Sequence, residues 1–164
     1  MSQAVAKVLS PEGAPRGTAF AISGDLALTA FHCIGDRVLG EISLPTVSLQ
    51  FLDGPTLIAS YHDGNRRLDF ALLKLKSYLP DALEPIPIAT EVEPHESFRC
   101  IGYPAAVRGP DYVTIGGEVR NPAGSLFEGV PAIQLYCPEA AASASLELPG
   151  MSGGPVLVGK DPEV

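Results

Sequence analysis

The sequence contains no run of about 18 apolar residues, so no membrane-spanning helix is expected. Basic residues are scarce. Eleven Lys and Arg stand against 19 Asp and Glu, for a net charge of −8, and Arg66-Arg67 is the only basic cluster. Such a surface repels phosphates, which argues against a nucleic-acid partner. The three histidines, His32, His62 and His95, are far apart and have no paired acids or thiols beside them. No metal site is therefore expected, and no cofactor. Cysteine is rare and odd in number, at Cys33, Cys100 and Cys137, and residues 1–10 carry one lysine without a sustained apolar core. With no signal peptide in that segment, the three read as reduced thiols in a cytoplasmic setting.

Glycine and proline are abundant, at 17 and 16 of 164 residues. That frequency disfavours long helices and fits short strands joined by frequent turns, an all-β chain. Six candidates in the first half are rich in Val, Ile, Leu and Phe and bounded by Gly, Pro or Asp: 4–9, 18–23, 26–30, 46–52, 56–61 and 70–75. They suffice for a complete six-stranded barrel. A connector with four prolines and several acids follows at about 77–97. The second half offers four strands, at 98–103, 112–120, 132–137 and 155–158.

Chemistry concentrates in three segments. In Leu148-Pro149-Gly150-Met151-Ser152-Gly153-Gly154-Pro155, glycine permits the sharp turn that presents a serine hydroxyl. The N–H groups of Gly150 and Ser152 are the candidate oxyanion donors. The bland alternative is a Gly-Pro turn between strands. Ala27-Leu28-Thr29-Ala30 reads as the end of a buried strand, which puts His32 just past a rigid terminus. Imidazole titrates near neutrality, so it can accept the serine proton and return it to a leaving amine. Asp69 opens the apolar run Phe70-Ala71-Leu72-Leu73-Lys74-Leu75, and a carboxylate there needs a partner, which His32 would supply. Asp53 and Asp63 precede glycines in what read as Asp-Gly turns and are weaker candidates. Cys33 beside His32 could pass for a nucleophile, but the serine segment favours a core role for it.

The order His, Asp, Ser differs from the subtilisin and α/β-hydrolase orders. On Thr29-Ala30-Phe31-His32-Cys33, Asp69-Phe70-Ala71-Leu72-Leu73-Lys74-Leu75 and Gly150-Met151-Ser152-Gly153-Gly154-Pro155, the chain resembles the trypsin and chymotrypsin family of serine peptidases over nearly its whole length. The resemblance implies a trypsin-like double β-barrel with a triad of His32, Asp69 and Ser152 in the cleft between barrels. Residues 1–78 would form the first barrel with His32 and Asp69, 79–97 the connector, and 98–164 an incomplete second barrel carrying Ser152. It also implies a specificity pocket whose base falls on Leu146, giving an apolar or small P1 preference. Glu147 would favour Arg or Lys if it turned inward.

Two departures from that family matter. Met151 stands where secreted digestive enzymes carry an acid that pairs with a newly cleaved N-terminus, so the likeness is to bacterial members that need no zymogen cleavage. The second half offers two strands too few, and the sequence ends twelve residues past Ser152. A further C-terminal segment, or further domains of the same protein, would complete it. The expected function is a serine endopeptidase acting on protein or peptide substrates, as the protease domain of a larger regulated protein. The alternative is a protease-like regulatory or interaction module, inactive alone or until another segment or partner completes it.

Overall fold

The structure is a computed structural model that describes residues 2–52, 54–104, 112–127, 129–138 and 149–159. The short apolar runs of the first half form β1 (Ser2–Gln3), β2 (Val5–Leu9), β3 (Pro15–Ala21) and β4 (Leu26–Thr29). A 3-10 turn, η1 (Phe31–Cys33), leads into the small hairpin of β5 (Gly35–Asp36) and β6 (Glu41–Ile42). Then come β7 (Thr46–Phe51), β8 (Thr56–Asn65) and β9 (Phe70–Leu75). Strands β2, β3, β4, β9, β8 and β7 close in that order into an antiparallel barrel. Side chains that alternate across a strand leave every second residue to the lumen. In β7 these are Val47, Leu49 and Phe51, and in β9 Ala71, Leu73 and Leu75. Ala6, Ala19, Ala21, Ala27 and Ala59 line the rest, so small and bulky residues together fill a lumen too narrow for large side chains alone.

Each strand expected in the first half overlaps one in the structure, and 70–75 coincides with β9 end to end. Asp63-Gly64 is a correction: it lies within β8, not in a turn. The strand pairing shifts register between Tyr61 and Asp63, and a Cβ at Gly64 would stand 2.6 Å from the Phe70 carbonyl oxygen. The glycine thus serves a bulge where two backbones approach closely. The chain reverses instead at Arg66–Asp69, where Asn65 Oδ1 accepts the N–H groups of Arg67 and Leu68 at 2.9 and 3.0 Å. Asp53, of the other Asp-Gly pair, lies outside the described residues.

The proline-bearing stretch after β9 backs onto the barrel. Leu79 N–H donates to Gly24 O at 2.7 Å and Ile86 N–H to Ala21 O at 2.8 Å, while β10 (Leu83–Glu84) pairs in parallel with β1. Two compact units result. One comprises Met1–Ile88, Gly102–Val113 and Leu148–Pro155, the other Ala89–Ile101, Thr114–Glu147 and Val156–Val164. The Ser152 segment clusters with the barrel unit.

The second unit is built on β11 (Ser97–Gly102), β12 (Val113–Phe127), β13 (Val130–Tyr136) and β14 (Val156–Val158), in an open sheet ordered β13-β12-β11-β14. These are the four strands expected, but β12 runs well past Arg120. The strand continues through Asn121-Pro122-Ala123-Gly124 with register shifts on either side of Asn121. Among the described residues no helix is long and apolar enough to cross a membrane.

None of the three cysteines is in a disulfide. Burial, reinforced by the Cys137 thiol nearby, pushes Cys100 up to about 11 from 9.0. The folded state therefore holds this proton at pH values where the unfolded chain has lost it. Its contribution to stability is complete below pH 9.0 and is lost as pH rises toward about 11. Thermal melts between pH 8 and 11 should show the protein losing stability, and Cys100→Ala should flatten that decline.

Candidate active site

The serine-bearing turn, the 3-10 turn after β4 and the reversal between β8 and β9 all belong to the barrel unit. His32 is the middle residue of η1, anchored by Phe31 and Cys33, which are buried on either side of it. The imidazole itself is 43% exposed. Phe31 N–H donates to the Asp69 carbonyl at 3.1 Å, and His32 N–H donates to Asp69 Oδ1 at 3.1 Å. His32 Nδ1 lies 2.7 Å from Asp69 Oδ2. The carboxylate is thus docked through both oxygens and the backbone. Asp69 adopts φ 56°, a left-handed conformation that costs free energy in any residue with a Cβ. Such strain persists only where the surroundings hold it, here the Asn65 turn on one side and three contacts to η1 on the other.

Ser152 sits between Met151, which is buried, and Gly153-Gly154. Gly150 and Gly153 have φ 101° and 82°, which give the chain its reversal. Two buried threonines clamp this loop. Thr18 N–H donates to Ser152 O at 2.8 Å, and Thr18 Oγ1 donates to Gly150 O at 2.7 Å. Tyr103 N–H donates to Thr18 Oγ1 at 3.0 Å, and Thr29 Oγ1 donates to Thr18 O at 2.6 Å. The Thr18 hydroxyl therefore both gives and receives, which orients it. Thr18 and Thr29 are 0% and 3% exposed, so each bond is made in a place where an unmade one would be costly. Sequence reasoning does not single out either residue, because a threonine in a strand looks like an ordinary β-former.

A Cβ at Gly153 would run into Thr18 O and stand 2.5 Å from Thr29 Oγ1 and 2.7 Å from Ala30 N, in a backbone conformation already unfavourable for alanine. Gly153→Ala should cost about 3 kcal/mol or more, a fall in Tm of roughly 10 °C, and should displace the loop. Melting curves with probe labelling of the surviving folded protein would check both effects. Gly17 admits a similar approach, since its missing Cβ leaves room for Cys33 Sγ and for Ser152 O at 2.9 Å.

Cys33 is 1% exposed, and its thiol points at Ser152 O at 3.5 Å. Burial pushes its pKa up, and the Asp69 carboxylate adds to the rise. Both effects favour the unreactive thiol, so Cys33 is a packing residue. Among the described residues the Ser152 hydroxyl makes no hydrogen bond to His32. Such bonds often tighten only when substrate is bound. Leu146 and Glu147, the expected pocket residues, lie outside the described residues.

A closed six-stranded barrel followed by a partial second sheet is a trypsin-like fold. The chain belongs to the trypsin-like peptidase domain family, which it matches over residues 17–164. Among solved structures it is similar to the Rv3671c protease of M. tuberculosis. The inactive form has a TM-score of 0.67 and 19% identity, over 95% of this chain and 72% of that one. For the active form the values are 0.63 and 19%, over 95% and 65%. It is also similar to the MamO protease domain of Magnetospirillum magneticum, with a TM-score of 0.65 and 17% identity over 94% of this chain and 78% of that one. No curated protein matches the chain.

Proposed function

We propose that this chain is a serine endopeptidase that hydrolyses peptide bonds in protein substrates through a Ser-His-Asp triad and an acyl-enzyme intermediate. The observation that carries the reading is the 2.7 Å pairing of His32 Nδ1 with Asp69 Oδ2, in the same compact unit as the clamped Ser152 loop. With Nδ1–H donating to Asp69, the tautomer leaves Nε2 unprotonated and able to act as a base. Ser152 Oγ attacks the scissile carbonyl as His32 takes its proton. The N–H groups of Gly150 and Ser152 then stabilise the oxyanion. When the tetrahedral intermediate collapses, the C–N bond breaks and His32 returns the proton to the leaving amine. Water, deprotonated by the same imidazole, hydrolyses the ester and regenerates Ser152. Asp69 stays ionised throughout and stabilises the imidazolium.

The substrate reading follows the sequence: a protein or peptide with an apolar or small P1 residue, set by Leu146. That Cys33, Cys100 and Cys137 form no disulfide supports a cytoplasmic setting. The likeness to a structure described as a protease domain, that of MamO, supports the context proposed here, the protease domain of a larger regulated protein. The experiment is labelling with a fluorophosphonate probe on this chain and on a C-terminally extended one, each with a Ser152→Ala control. Labelling that requires Ser152 supports the enzyme. Labelling confined to the extended chain makes completion by another segment the condition for activity. Its absence from both would leave a protease-like interaction module, a reading kept open by the lack of a bond between the Ser152 hydroxyl and His32.

A further inference from the structure

The carboxylate of Asp69 has a third partner that the triad scheme does not use. Arg37 follows β5, in the hairpin five residues past His32, and its Nε lies 3.5 Å from Asp69 Oδ1. The two carboxylate oxygens are thereby divided. Oδ2 faces the imidazole, while Oδ1 takes the His32 backbone N–H and faces the guanidinium.

Arg37 is not a loose surface side chain that happens to pass by. Its Nε also donates to Arg66 O at 3.4 Å, on the turn that carries Asp69. In return Arg66 Nη1 donates to Val38 O at 3.1 Å, in the hairpin. Asp36 Oδ1 accepts the N–H groups of Val38 and Leu39 at 2.7 and 2.9 Å, and Gly40 N–H donates to Asp36 O at 2.7 Å. The space a Cβ would take at Gly40 is filled by the Arg66 side chain, 2.6 Å from that position. Two arginines thus lace the hairpin to the β8–β9 turn, and Asp69, in its left-handed conformation, is enclosed by that lacing.

On the serine-peptidase reading above, we infer that Arg37 is a positioning residue for the triad: its guanidinium holds Asp69 Oδ1, so that Oδ2 stays aimed at His32 Nδ1. A partly exposed ion pair of this length contributes little to global stability. Its effect is on orientation, and displacement of a catalytic group by about 1 Å can cost a hundredfold in rate. Arg37 Nε donates to the Arg66 carbonyl while the positive charge of the same planar group faces the Asp69 carboxylate, a fixed arrangement that a flexible lysine ammonium reproduces less well.

The test is steady-state kinetics on Arg37→Ala, Arg37→Gln and Arg37→Lys, with the one-dimensional proton spectrum of each folded variant. The downfield resonance of the proton between His32 Nδ1 and Asp69 serves as a readout independent of turnover. The expected result is a fall in kcat of about tenfold to a hundredfold for Arg37→Ala and Arg37→Gln, with KM nearly unchanged and a broadened or shifted resonance. Arg37→Lys should lie between these and the parent. Millimolar guanidinium should restore part of the Arg37→Ala rate, whereas sodium chloride at equal ionic strength should not. Parental kinetics in Arg37→Ala overturn the inference. So does a loss confined to KM, which would make Arg37 a substrate contact, or an unrescued loss with an unchanged resonance. A parent without any activity would count against the peptidase reading instead, and the resonance would still decide whether Arg37 orients Asp69.

Discussion

Ser152→Ala should lower turnover of a peptide substrate by on the order of a millionfold, the scale found when the nucleophile is removed from a triad peptidase. The structural contacts of Ser152 are made by its backbone. Its carbonyl accepts the N–H of Thr18 at 2.8 Å and lies 3.5 Å from the Cys33 sulfur, and alanine keeps both. The variant should therefore melt with the parent, and lost activity reads as lost chemistry. Because Ser152 and His32 act on one proton, their effects should not add, and Ser152→Ala with His32→Ala should be no slower than Ser152→Ala alone. About a thousandfold to ten-thousandfold rate enhancement over water should survive, from binding and the oxyanion donors. A double variant far slower than either single one would show that the two residues do not act as a unit.

Asp69→Asn should lower kcat by about ten-thousandfold while leaving the fold in place. Asparagine tolerates the left-handed conformation that Asp69 adopts at φ 56°, so the turn is not strained further. Its side-chain oxygen can still accept one bond, but not both of those now made, from the His32 N–H at 3.1 Å and from Nδ1 at 2.7 Å. If the amide nitrogen meets Nδ1, the imidazole must carry its proton on Nε2, where it cannot act as a base toward Ser152. Asp69→Ala should add a stability loss to the catalytic one, since alanine lacks both the acceptor and the tolerance for positive φ. Comparing kcat with melting temperature across the two variants separates tautomer control from structural support. Equal activity in Asp69→Asn and the parent would remove Asp69 from the mechanism.

Much of the barrel was legible because its signal is local. Alternation in 46–52 and 70–75 is set by the two-residue repeat of a strand, which any chain of that pattern obeys. Where the reading stopped short, a long-range contact had overridden a local cue. Asp63-Gly64 carries a turn signature, but neighbouring β9 uses the bare glycine for a bulge. Asn121-Pro122 looks like a strand end, yet β12 accommodates it with irregular pairing.

The same division holds for the candidate site. His32, Asp69 and Ser152 are each marked by neighbours within a few residues. The sequence by itself determined those three nominations, the all-β class, the six strands of the closed barrel and the four strands described in the second half, while the short β1, β5, β6 and β10 escaped it. Only the tertiary structure decided what holds them. The Thr18 hydroxyl reaches Gly150 across 132 positions, His32 meets Asp69 across 37, and Arg37 reaches the turn at Arg66 across 29. The sequence offers His32 as the partner Asp69 needs, but no periodicity or motif encodes the Thr18 and Arg37 contacts, because they come into being only when closure of the barrel brings distant backbones within hydrogen-bonding distance.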